Sequence, residues 1–101
     1  MSIAVLSPRA QRDLAAAARW IVKDNPVAAR GLRDAVRNMA ERIGEHPRIG
    51  SLRPDLGREP YRFVILAGFS YVIVYNPDRS PPLIVRILHG ARDLPEVLRG
   101  L

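Results

Sequence analysis

The chain has no cysteine, which excludes disulfides, thiol nucleophiles and cysteine-ligated metals together. It has two histidines, His46 and His89, too few for a structural zinc set, so neither a metal nor a cofactor is expected. All but one of its 16 basic residues are arginine, the exception being Lys23. The opening apolar run, Ile3-Ala4-Val5-Leu6, is too short for a signal peptide or a membrane span, and the expected location is the cytoplasm. Glycine-rich phosphate loops, HExxH and GxSxG are all missing. The carboxylates fall singly on helices and loops. Glu41 and Glu45, one helical turn apart, read as a solvated face, and no general acid/base dyad emerges from the spacing.

What is present suits one folded domain spanning 1–101. The hydrophobic fraction is 48% and the charged fraction 26%, both near globular averages, which argues against disorder. The net charge of +6 calls for an acidic partner, either nucleic acid or protein. Arginine serves both, because its planar fork binds phosphate or carboxylate bidentately. A GC-rich coding sequence also raises the arginine-to-lysine ratio, so charge alone does not choose.

Residues 3–6 read as a short strand. Ser7-Pro8 then opens a helix: serine caps, and proline occupies the first turn, where its missing N–H costs nothing. Ala10, Leu14, Ala17, Ala18 and Ile21 recur at helical spacing. Asp24-Asn25-Pro26 ends this helix and starts the next. The second helix places Ala28, Leu32, Ala35, Val36, Met39 and Ile43 on one face and runs to about Gly44, before His46-Pro47. So short a connection folds the two helices back as an antiparallel hairpin. An irregular segment, 47–60, precedes three β-rich runs, Tyr61–Leu66, Phe69–Tyr75 and Leu83–Leu88. The first two are joined by a tight turn at Ala67-Gly68. The runs are apolar on both pleat faces, which predicts a cover for the second face. Asp93 to Leu98 read as a short amphipathic helix. The expected architecture is α+β: a β-α-α-β-β-β order, a helical hairpin packed on a mostly antiparallel sheet, and a short C-terminal helix.

Candidate functional residues cluster late in the chain. Arg86 lies on the last strand, with His89 and Arg92 following. A histidine between arginines suits acid/base work on a phosphodiester, with the arginines holding phosphate. The competing reading has His89 hydrogen-bonding the chain as it leaves the sheet and Arg92 pairing with an acidic neighbour. Arg48, Arg53, Arg58 and Arg62 lie in or beside the irregular segment, as phosphate-backbone contacts or as ordinary surface charge. Tyr61, Phe63, Phe69, Tyr71 and Tyr75 stand at alternate positions within their strands, a pattern that favours core packing over base stacking. Trp20, one position off the main helical stripe, reads equally as a partner anchor or as the flank of the core.

Taken in order, several short motifs resemble one family. They are Val5-Leu6-Ser7-Pro8-Arg9-Ala10-x-x-Asp13-Leu14, Asn25-Pro26-x-Ala28-Ala29, Pro47-x-x-Gly50, Tyr61-Arg62-Phe63, Ile73-Val74-Tyr75 and Val85-Arg86-Ile87-Leu88-His89-Gly90-Ala91-Arg92-Asp93. Together, from about residue 3 to 97, they are similar to ParE-type toxins of the RelE/ParE superfamily, also called plasmid stabilisation proteins. The resemblance implies a toxin of a type II toxin–antitoxin pair, held in a hetero-oligomer by a ParD-like antitoxin whose acidic and apolar C-terminal tail neutralises it. It implies no membrane association and no sequence-specific DNA binding by this chain.

ParE relatives poison DNA gyrase, whereas RelE relatives cut mRNA on the ribosome, and one fold serves both. RelE-type nucleases commonly carry an arginine where this chain has Tyr71-Val72. They tend to place a tyrosine or similar group after the last strand, where this chain reads Gly90-Ala91-Arg92-Asp93. The lysines of RelE proper are missing. The expectation is a gyrase-directed binding poison with no turnover of its own, whose surface for target or antitoxin comprises Trp20, Arg58, Arg62, Arg86, His89 and Arg92. The alternatives are a RelE-like ribonuclease using Arg86, His89 and Arg92, and a weakly toxic chromosomal homologue.

Overall fold

The computed structural model describes residues 3–23, 25–55 and 58–90. Strand β1 (Val5–Leu6) leads into α1 (Pro8–Val22) and α2 (Pro26–Glu45). β2 (Ser51–Leu52), β3 (Arg62–Leu66), β4 (Tyr71–Asn76) and β5 (Leu83–His89) follow. Both helices begin as their sequences specify. The Ser7 hydroxyl accepts the Ala10 N–H at 3.0 Å, the Asn25 side chain accepts the Ala28 N–H at 3.1 Å, and each cap is followed by proline in the first turn. Ser7 also ties the helix to the sheet: its hydroxyl donates to the Val85 carbonyl at 3.1 Å and its N–H to that of Ile84 at 2.9 Å. The expected helix over residues 93–98 lies outside the described residues.

The strands form one sheet in the order β1-β5-β4-β3-β2. β1 is parallel to β5, and every other pairing is antiparallel. Both helices pack on one face, α1 against β5 and α2 against β3. The molecule is therefore the α+β layer structure that the sequence predicts. α1 buries only alanines (Ala10, Ala17 and Ala18), so its backbone can lie close to the sheet. α2 supplies the bulk with Leu32, Val36 and Ile43. Those side chains meet Leu66, Tyr71, Ile73, Tyr75, Ile84 and Ile87 in the main core. Each large aliphatic side chain removed from water there contributes about 1.5–3 kcal/mol.

One detail differs from the sequence expectation and two go beyond it. The turn between β3 and β4 spans four residues, 67–70, rather than two, so β4 starts at Tyr71. Gly68 in that turn has φ of +82°, which glycine adopts without strain. Phe69 is drawn off the strand to pack with the main core, its ring reaching Gly31 on α2. Second, the five sheet aromatics divide between the two faces. The ladder pairs Phe63 with Val74 and Ile65 with Val72, so Tyr61 and Phe63 face away from the helices while Phe69, Tyr71 and Tyr75 face them. Third, β5 carries a bulge: Val74 opposes Arg86, yet the next residue, Tyr75, opposes Ile84. The extra residue lets both Ile84 and Ile87 point into the main core, which strict alternation forbids.

The expected apolar second face is present. Phe63, Val74 and Leu88 are buried there, with Tyr61, Val72 and Val85 packed against them. Ile65, on the same face of β3, is 71% exposed.

Candidate functional site

The bulge in β5 decides what Arg86 does. Its guanidinium meets the Asp13 carboxylate of α1 in a two-pronged pair, with Nε to Oδ2 at 2.8 Å and the second nitrogen to Oδ1 at 3.2 Å. The Ile87 N–H donates to the same carboxylate at 3.0 Å. Side-chain exposure is only 19% for Arg86 and 16% for Asp13, so this bidentate pair is partly desolvated. Asp13 thus clamps α1 onto β5 at the irregular point of the strand. The sequence reading assigned Arg86 to a binding or catalytic surface and gave Asp13 no part. The only local trace of Asp13 was its place in the opening motif.

Arg62 is also engaged within the molecule. One guanidinium nitrogen donates to the Gly50 carbonyl at 2.7 Å, with a longer contact to the Arg48 carbonyl at 3.4 Å. Beside it, the Tyr75 hydroxyl accepts the Gly50 N–H at 2.8 Å and donates to the Pro47 carbonyl at 2.7 Å. These bonds hold the irregular segment against the end of β4. A Cβ at Gly50 would stand 2.7 Å from the Tyr75 ring and 2.9 Å from its hydroxyl, so the close approach requires glycine. Burial pushes the Tyr75 phenol above its ordinary pKa, against the opposing pull of the Gly50 N–H and the Arg62 charge. The motif Pro47-x-x-Gly50 and the end of Ile73-Val74-Tyr75 are therefore two halves of one contact.

His89, at the end of β5, pairs with Tyr71 in the ladder and meets its ring edge-on, centroids 5.4 Å apart and planes at 86°. Arg62 opposes Tyr75. His89 and Arg62 thus lie at opposite ends of β4, roughly 13 Å apart along the strand. Arg58 is exposed, as are Arg48 and Arg53, and Arg53 pairs with Asp55 at 2.8 Å. Their hydrogen bond raises the arginine pKa and lowers that of the aspartate. Trp20 is 61% exposed near the end of α1, with the Lys23 ammonium 5.6 Å from its ring centroid. Arg92 lies outside the described residues.

Among the described residues, Arg86, Arg62 and His89 thus do not converge on one point. Arg86 turns to α1, Arg62 to the 47–50 segment, and His89 to the far end of β4. Among the described residues, no group of three His, Cys, Asp or Glu side chains is placed to hold a metal, and no helix is long and apolar enough to cross a membrane.

A hairpin of two helices thus packs on one face of a five-stranded sheet whose other face is also apolar, in a chain of net charge +6. The family model described as "ParE toxin of type II toxin-antitoxin system, parDE" matches residues 4–94. Toxin RelE3 of Caulobacter vibrioides is 33% identical over 85 residues, which cover 84% of this chain and 90% of that protein. A chain from the structure titled "Chromosomal ParDE TA system from P. aeruginosa" superposes with a TM-score of 0.70. It shares 20% identity, covering 88% of this chain and 96% of that one, and so supports the fold. The chain belongs to the ParE toxin family of type II toxin–antitoxin systems.

Proposed function

We propose that this toxin acts in the cytoplasm as a binding poison of DNA gyrase and is neutralised in a hetero-oligomer by a ParD-like antitoxin with an acidic and apolar tail. The observation that carries the mechanistic part is that, among the described residues, Arg62, Arg86 and His89 stand apart. A reaction centre needs its acid, base and anion-holding groups within hydrogen-bond reach of one substrate position. Here Arg86 is bonded to Asp13, and Arg62 to a backbone carbonyl at the other end of β4 from His89. Such an arrangement suits a surface that presents charge and shape. The partner reading is supported by family membership, by the net charge of +6, and by the exposed Ile65 on the second face of the sheet.

The test uses wild type and His89→Ala in two assays, gyrase supercoiling and ribosome-dependent mRNA cleavage. On this reading the wild type inhibits supercoiling, and His89→Ala inhibits it with a modest loss. One hydrogen-bonding side chain at a surface contributes about 1 kcal/mol. A general acid or base would instead lose on the order of 10²–10⁴ in rate when removed. mRNA cleavage that collapses in His89→Ala, with gyrase unaffected, would replace this reading with the RelE-like ribonuclease using Arg86, His89 and Arg92. Inactivity in both assays would identify a weakly toxic homologue.

A further inference from the structure

Seven basic and three acidic residues fall between Arg9 and Arg37, and the structure segregates the two signs. On α1, Arg9, Arg12 and Arg19, with Lys23 at its cap, are exposed at helical spacing on the side opposite the buried Ala10, Ala17 and Ala18. Asp13, the one carboxylate of that helix, is turned aside to Arg86 and the Ile87 N–H. On α2, Arg30, Arg33 and Arg37 are exposed on one flank, each directly after a buried residue: Ala29, Leu32 and Val36. Gly31, where a Cβ would meet the Phe69 ring of the β3–β4 turn, marks the other flank, so the arginine row is turned toward α1. The antiparallel hairpin sets Arg30 level with Arg19 and Arg37 level with Arg12. Among the described residues, Asp34 is the one carboxylate in ion-pair reach of these cations, 3.9 Å from Arg37 and exposed. Asp24 lies outside the described residues.

A GC-rich coding sequence raises the number of arginines, but it does not sort them onto one side of a hairpin. We infer that the solvent-facing side of the α1–α2 hairpin binds duplex DNA through its phosphate backbone, without reading sequence. The geometry selects this occupant. At a helical rise of 1.5 Å per residue, the ridge from Arg9 to Lys23 is about 21 Å long. A duplex presents a phosphate about every 3.4 Å of axis on each strand, so the ridge spans roughly six phosphates of one strand. Packed helices lie about 8–10 Å apart, which brings the second row, on α2, alongside the first. Each guanidinium can take two phosphate oxygens at once. An acidic protein segment would need apolar anchors between the charges for a lasting complex. Here the ridge position between Arg12 and Arg19 is filled by Ala16, and Trp20 stands at the margin beside Lys23. The inference goes beyond the gyrase reading, since it requires only free DNA.

The experiment titrates the full chain, without antitoxin, into labelled duplexes of two unrelated sequences and equal length, following fluorescence anisotropy between roughly 50 and 200 mM salt. Both duplexes should bind equally. The logarithm of the affinity should fall linearly with that of salt, with a slope of about −4 to −6 at about −0.9 per phosphate neutralised. Arg12→Gln combined with Arg19→Gln should weaken binding about tenfold or more and flatten the slope by about 2. Arg42→Gln combined with Arg79→Gln removes the same charge from exposed positions outside the two rows. That pair should change affinity by less than about threefold, through the overall field alone. Circular dichroism checks that each variant is folded, and the wild-type slope and sequence comparison need no variant. Equal losses in the two double variants would overturn the ridge in favour of undirected net charge. Absence of binding at the lowest salt, a strong preference for one sequence, or tighter binding to single-stranded RNA of the same length would each overturn it as well.

Discussion

Tyr75 is fully buried, and its hydroxyl links two backbone groups 25 and 28 residues away in sequence. That makes the phenol a pH-dependent contributor to stability. Its pKa in the folded protein is raised above the ordinary value of 10.0. A raised folded value means that the stabilisation is fully present below about pH 10 and is lost as pH rises through the folded value. The physical cause is direct, because the phenolate has no proton to donate to the Pro47 carbonyl and is poorly solvated. Chemical denaturation between pH 8 and 11 should show wild type losing stability above about pH 10 more steeply than Tyr75→Phe. At pH 8 the variant should be less stable by about 1–3 kcal/mol, since the Gly50 N–H and Pro47 carbonyl lose their partner. Parallel pH curves for the two proteins would show that the hydroxyl is not the titrating group.

At the scale of elements, the joint between α1 and β5 is built from two side chains on the helix. Ser7 caps the helix and also bonds β5, and Asp13, two turns later, takes the Arg86 guanidinium and the Ile87 N–H. The bulge leaves the ladder irregular here, and the carboxylate receives an N–H at that point. Removing the carboxylate charge while keeping its shape isolates the ionic part. Asp13→Asn should cost about 1–3 kcal/mol, because the half-buried guanidinium loses its counter-charge while the amide oxygen still accepts the Ile87 N–H. Arg86→Gln on the Asp13→Asn background should then cost less than Arg86→Gln alone, with a coupling of about 0.5–3 kcal/mol measured by denaturation. Additive losses would mean that the pair is geometric only. The same joint makes a drop in toxicity on substituting Arg86 ambiguous until folding is measured, since this arginine holds the helix to the sheet.

For the whole molecule, the proposed complex with an acidic antitoxin would be governed in its encounter by the net charge of +6 and in its lifetime by apolar burial at exposed side chains such as Ile65. Association with an acidic antitoxin should slow by about tenfold or more between roughly 0.01 M and 0.15 M ionic strength, as screening shortens the reach of the field. Dissociation should change far less, because apolar burial is not screened by salt. Stopped-flow association across a salt series measures both. An association rate flat across the series would separate the charge from partner recognition and return it to codon composition.

Much of this structure is written locally. Ser7-Pro8 and Asn25-Pro26 start their helices because cap and first turn are contacts three residues apart, which a sequence displays directly. The apolar spacing of α2 and the two-faced apolar strands likewise follow from periods of 3.6 and 2. The site was legible only as a list of basic residues. Arg86 and Asp13 are separated by 73 positions, and nothing in either neighbourhood shows that one neutralises the other. Phe63 and Tyr75 occupy alternate positions in adjacent strands, yet the ladder sends them to opposite faces. The pairing of β2 with β3 stops at Ser51, and the next residue back, Gly50, gives its N–H to the Tyr75 hydroxyl, a contact spanning 25 residues. Caps and periodicity act within a turn or a pleat, so composition and order suffice for them. Register, bulges and cross-sheet ion pairs depend on which distant segments meet, and the packed core decides that.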